Sequence, residues 1–202
     1  MQLTVLFIII GLAMGTTVLI GQKLGEGRPE QAAEVVGSSI VIFTVVAIVM
    51  TALMLCFAVD VAKLMNTPEQ AFNKTVTYIR ICCGGLIFIV AYNLLGSIFR
   101  GLGNSRLPLI TVAIAFVFNV AGDLLLVAVL EMNAAGAAIA TVAAQALSVA
   151  ISLMIIKKTG LPFAFGRADL HPKSWAVRGV FKLGTPLCLQ DFLVTISFLV
   201  IL

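Results

Sequence analysis

Apolar residues run along this chain in long blocks, with no alternation of the kind a strand would need. Six blocks, near residues 1–21, 36–59, 76–99, 107–130, 134–156 and 183–202, are long enough to cross a bilayer, which takes about 20 residues per helix. Each predicts a helix, because lipid offers no partner to unpaired backbone groups. Turn formers and charges gather in the gaps. Gly25-Glu26-Gly27-Arg28-Pro29 parts the first two blocks, and Asp60 to Pro68 parts the second and third. Arg100-Gly101-Leu102-Gly103-Asn104-Ser105-Arg106 separates the third from the fourth. Glu131-Met132-Asn133 makes a tight turn, and residues 157–182 form the one long connector. The fold class predicted is all-α, a polytopic helical membrane protein with about six transmembrane helices.

Composition strengthens this. Of 202 residues, 61% are apolar and 11% charged, against roughly 45–50% and 25% in soluble domains. The mean hydropathy is +1.15. A soluble globular domain is excluded, and so is a disordered chain. The net charge of +4 does not point to nucleic acid, because the basic residues sit in short gaps between apolar blocks and not on a folded aqueous face. Cys56, Cys82, Cys83 and Cys188 all lie in apolar blocks and read as small hydrophobes without disulfides. His171 stands in a polar loop, and no zinc-protease, phosphate-loop or nucleophile-elbow motif is present, so nothing points to an enzyme. The first block has no basic flank before it and meets its first charge at Lys23, which is unlike a signal peptide. Apolar blocks at both ends of the chain suggest a piece of a longer transporter.

Basic residues set the orientation. The segments 22–35, 100–106 and 157–182 carry 2, 2 and 6 Lys or Arg, whereas 60–75 and 131–133 carry 2 and 0. The first three are expected in the cytoplasm, so the first helix runs from outside to inside. Only Arg80, Asp123 and Asp191 are ionisable within the blocks. Such residues cost roughly 2.5–3.5 kcal/mol on insertion scales and default to a functional reading. Arg80 lies near a helix end and can snorkel. Asp191 either lines an inner vestibule or rests near the interface.

Asp123 is the informative one. Asn119 lies one turn earlier on the same helical face. With the turn centred on Met132, Thr141 falls level with Asp123, and Gln145 level with Asn119. A carboxylate, an amide carbonyl and a hydroxyl are hard oxygen donors suited to Na⁺ or to a titrating proton. Interhelical hydrogen bonding alone would also use Asn, Thr and Gln, but it does not need the carboxylate. Tyr78, near the outer end of its helix, suits interfacial anchoring. Asn93, deep in the same helix, either lines a cavity or bonds a neighbour. Gly11-x-x-x-Gly15 is a close-packing motif. Pro108 and Pro186 are expected at helix starts, where proline is tolerated.

Several stretches, in order, resemble the multidrug and toxic compound extrusion (MATE) transporters of NorM and DinF type. They are Gly15-Thr16-Thr17-Val18-Leu19-Ile20-Gly21-Gln22-Lys23-Leu24-Gly25-Glu26-Gly27, then Arg100 to Pro108, Asn119-Val120-Ala121-Gly122-Asp123, Gly136-Ala137-Ala138-Ile139-Ala140-Thr141 and Gly184-Thr185-Pro186. The resemblance covers the whole chain and implies helices two to seven of twelve. Residues 1–156 would belong to the N-terminal lobe and 157–182 to a cytoplasmic inter-lobe connector. Residues 183–202 would form the first helix of the C-terminal lobe. It implies efflux of lipophilic, often cationic drugs across the bacterial cytoplasmic membrane by Na⁺- or H⁺-coupled antiport. No cofactor beyond the coupling ion and no nucleic-acid partner is implied, and the remaining half of the transporter is expected. The cation site it implies comprises Asn119, Asp123 and Thr141, with Tyr78 matching a helix-four tyrosine near that site; Asn93 and Gln145 are supporting or cavity-lining candidates from their positions alone. The family's helix-one acid has no counterpart in this sequence. The glutamate that NorM-type members place in helix seven is Val194 here, which favours a DinF-like arrangement. A lipid-linked precursor flippase of related architecture would need several basic residues in its cavity, and only Arg80 lies within a block. A non-transporting scaffold or an inactive fragment is the other alternative.

Overall fold

The structure is a computed structural model, and it describes residues 2–56, 69–130, 132–160, 162–163 and 166–201. All regular structure among them is helical. The helices are α1 (Gln2–Gly25), α2 (Pro29–Cys56), α3 (Glu69–Gly101), α4 (Arg106–Asp123), α5 (Asn133–Thr159) and α6 (Ser174–Ile201). A π-helical stretch, Leu124–Val129, continues α4, and a short 3-10 turn, Arg167–Leu170, precedes α6. Ile8–Gly25, Pro29–Cys56, Thr75–Gly101, Arg106–Val129 and Ala135–Thr159 are long and apolar enough to cross a membrane. α6, at 28 residues, carries the sixth apolar block.

Glycine ends three helices where the sequence places turn formers. Gly27, Gly103 and Gly160 have φ of 70°, 78° and 74°, a left-handed conformation that suits a residue without Cβ. Beyond Gly27 and Gly103 the backbone N–H of Arg28 and Asn104 bonds back to the carbonyls of Lys23 and Phe99, each at 2.9 Å. Asn104 then caps the next helix, its Oδ1 accepting from the Leu107 N–H at 3.2 Å. Pro108 lies in the first turn of α4 as expected. Pro186 does not start a helix. It sits inside α6, because that helix begins at Ser174, ahead of the apolar block, in turns where Arg178 and Lys182 interrupt the apolar residues.

The chain divides into two compact units. The first comprises Met1–Thr44, Asn93–Pro108 and Ile155–Leu202. Here α1 and α6 meet through glycines. A Cβ at Gly11 would lie 2.7 Å from the Cys188 Cβ, and one at Gly184 would lie 2.7 Å from the Gly11 carbonyl oxygen. One at Gly15 would run into the Val180 carbonyl. The motif Gly11-x-x-x-Gly15 is therefore the surface that admits α6. Thr16 and Ser39, both fully buried, share a hydrogen bond of 3.2 Å, and Thr17 Oγ1 donates to the Ser97 carbonyl at 3.1 Å. The segment before α6 is seated on the start of α2. The Lys173 N–H donates to Ser38 Oγ at 3.0 Å, and Trp175 Nε1 donates to Glu34 Oε2 at 3.0 Å. Gly37 is bare where a Cβ would meet the Asp169 carbonyl.

The second unit comprises Val45–Tyr92 and Leu109–Met154. Its close approaches again use small residues. Gly85 leaves room for Val142, and a Cβ at Gly122 of α4 would lie 3.1 Å from the Ala140 Cβ on α5. Large side chains elsewhere on α4 are exposed, among them Leu109, Phe116 and Val117, each two-thirds exposed or more, which is the face hydrocarbon solvates. None of the four cysteines forms a disulfide. Cys83 is buried, while Cys56 is exposed, so the buried reading holds for the first and not for the second.

Candidate functional site

The structure brings Asn119, Thr141, Asp123 and Gln145 onto the seam between α4 and α5. Asn119 Nδ2 donates to Thr141 Oγ1 at 3.4 Å. Thr141 Oγ1 in turn donates to the Ala137 carbonyl at 2.9 Å, so its proton is spent on its own helix and its oxygen faces Asn119. Asp123 lies one turn from Asn119 towards the hairpin turn, and Gln145 lies one turn from Thr141 in the opposite direction. Asp123 Oδ1 and Gln145 Oε1 are both buried without a hydrogen-bond partner among the described residues. A buried acceptor left open costs about 1–3 kcal/mol.

The register differs from the expected one. Thr141 is not level with Asp123 but pairs with Asn119, and Gln145 is correspondingly not level with Asn119. The close approaches of Gly122 to Ala140 and of Leu126 to Gly136 both centre the hairpin on residue 131, midway between 122 and 140 and between 126 and 136. The expected centre was Met132. The cause lies directly after Asp123, where Leu124–Val129 adopts π-helical geometry. The Leu130 N–H reaches back to the Leu125 carbonyl at 3.0 Å, an i to i+5 bond. Such a turn advances less per residue, and π-helical segments occur frequently at functional sites. The run Leu-Leu-Leu-Val-Ala-Val carries no side-chain signal for it. A further rung was also missed. Ser148 Oγ donates to the Thr111 carbonyl at 3.5 Å, both residues being buried.

Asn93 is half-buried on α3, in the first unit. The backbone of Tyr78 is part of α3, and its side chain lies outside the described residues, as does that of Asp191. Arg80 is exposed, in keeping with snorkelling, and Val194 is exposed on α6.

The sequence pattern of the MatE family matches residues 1–125. The chain belongs to the MATE family. It is 31% identical over 194 residues to the probable multidrug resistance protein YpnP of Bacillus subtilis (strain 168), covering 96% of this chain and 43% of that protein. It is 28% identical over 197 residues to the probable multidrug resistance protein YoeA of the same organism, covering 93% of this chain and 42% of that one. Among solved structures, a MATE crystal structure in the bent conformation superposes with a TM-score of 0.90 at 20% identity, covering 98% of this chain and 44% of that chain. This MATE chain thus spans less than half the length of the relatives it matches.

Proposed function

We propose that the chain works within a multidrug exporter of the bacterial cytoplasmic membrane, driven by inward flow of Na⁺ or H⁺ by antiport. Residues 1–156 would serve as N-lobe helices, 157–182 as the inter-lobe connector and 183–202 as the start of the second lobe. Asp123 is the coupling group, with Asn119 and Thr141 as neighbouring oxygen donors and Tyr78 as a supporting residue. The observation that carries this reading is the buried Asp123 Oδ1, left open one turn from the Asn119–Thr141 bond. Interhelical glue would leave no carboxylate oxygen unbonded.

In this mechanism a cation entering from outside binds Asp123 and cancels its charge. The packing of α4, held close to α5 at Gly122, then shifts between two arrangements. The cation drives the shift only through its different affinity for the two states. One charge moving down 100 mV supplies about 2.3 kcal/mol, roughly fiftyfold in drug gradient. The experiment is drug efflux from energised vesicles carrying the full-length transporter. Asp123→Asn, which keeps the shape and removes the charge, is expected to insert normally and to lose ion-driven efflux. Undiminished efflux by that variant would sink the assignment.

A further inference from the structure

Polar levels follow one another along the α4–α5 seam about one turn apart, and open levels alternate with closed ones. Asp123 Oδ1 is open. The next level is closed by the Asn119–Thr141 bond of 3.4 Å. Gln145 Oε1 is open, and the level beyond it is closed by the Ser148–Thr111 bond of 3.5 Å. Asp123 and Gln145 lie on opposite sides of the closed Asn119–Thr141 level, on the order of 10 Å apart along the seam at 1.5 Å per residue. Gln145 is therefore no part of the oxygen shell around Asp123.

We propose that Gln145 Oε1 is a second, separate station for a hydrated monovalent metal cation, sodium in the first place, inward of Asp123 on the path from it to the cytoplasm. The inference rests on the reading of Asp123 as the coupling group and narrows the ion it takes. A buried amide oxygen is a hard neutral donor that suits such a cation. Unlike a carboxylate, it does not titrate near neutral pH, so it offers nothing to a bare proton. One neutral oxygen with residual water binds weakly, as a transit position requires, since an ion must be able to leave as well as enter. The Asn119–Thr141 bond then acts as the partition between the two stations.

The test is equilibrium binding of radioactive sodium to the purified chain in lipid nanodiscs, at mildly alkaline pH to suppress proton competition. The parent chain is expected to bind in two phases. Gln145→Leu is expected to remove the weaker phase and to leave the tighter one within about twofold, whereas Asp123→Asn removes the tighter one. Gln145→Glu, nearly isosteric, is expected to tighten the weaker phase at least about tenfold, and it decides the matter if the leucine variant fails to assemble. A parent chain that binds no sodium or binds in a single phase overturns the second station. So does a weaker phase indifferent to both Gln145 variants. If Asp123→Asn keeps the tighter phase while Gln145→Leu loses the weaker, the coupling role of Asp123 falls and the Gln145 station stands.

Discussion

Gly122 and Asp123 act as a pair. The glycine lets α4 approach Ala140, and that approach carries the adjacent carboxylate into the seam where its Oδ1 is buried. Gly122→Leu is expected to force the helices apart at a cost of about 1–3 kcal/mol, seen as a lower apparent Tm, with Gly122→Ala falling between it and the parent. At the turn between α1 and α2, Lys23 Nζ donates to Glu26 Oε2 at 2.8 Å, and this bond holds the Glu26 carboxyl below its ordinary range. The stabilisation it lends is present above the ordinary carboxylate value and fades as pH falls through the lowered one. A carbon-detected NMR titration is expected to place the Glu26 midpoint below that of a free glutamate, and Lys23→Gln is expected to return it upward. Asp123, Asn119 and Thr141 were legible in the sequence because polar groups in a hydrocarbon block stand out against their surroundings. Their pairing was not, because it depends on a π-helical stretch built from Leu, Val and Ala.

At the scale of elements, the turn chemistry was readable and the helix starts were less so. Gly27 and Gly103 fall in the runs of turn formers that marked two ends, because their backbone roles follow from residue type, whereas the Asn104 cap was seen only in the structure. α6 shows the opposite case. Its first turns mix Trp175, Ala176, Val177, Val180 and Phe181 with Arg178 and Lys182, and its proline is internal, so neither hydropathy nor Pro186 marked Ser174 as its beginning. Pro186 has no N–H to give to the carbonyl of Lys182. That loss costs about 3 kcal/mol in a soluble helix interior, and less where neighbouring groups in a membrane protein satisfy the freed carbonyl. Pro186→Ala is expected to raise the apparent Tm in detergent. An unchanged value would mean that the Lys182 carbonyl already has a partner.

For the whole molecule, the all-helical class and the six blocks followed from hydropathy and length alone. The division into two units did not, because it is made by side chains meeting across helices remote in sequence. Gly11-x-x-x-Gly15 hinted at a close approach without naming its partner, which proves to be Gly184. That crossing also has a consequence for how the chain is made. Gly15 and Gly184 are 169 positions apart, and a ribosome adding about 5–20 residues per second would need on the order of ten to thirty seconds to produce the second after the first. Throughout that interval α1 sits in the bilayer with its small-residue face unmatched, open to lipid, to other helices or to the insertion machinery. The α1–α6 packing is therefore a late event in the synthesis of this chain, and a chaperone that shields glycine faces in the membrane would have that interval in which to act on α1.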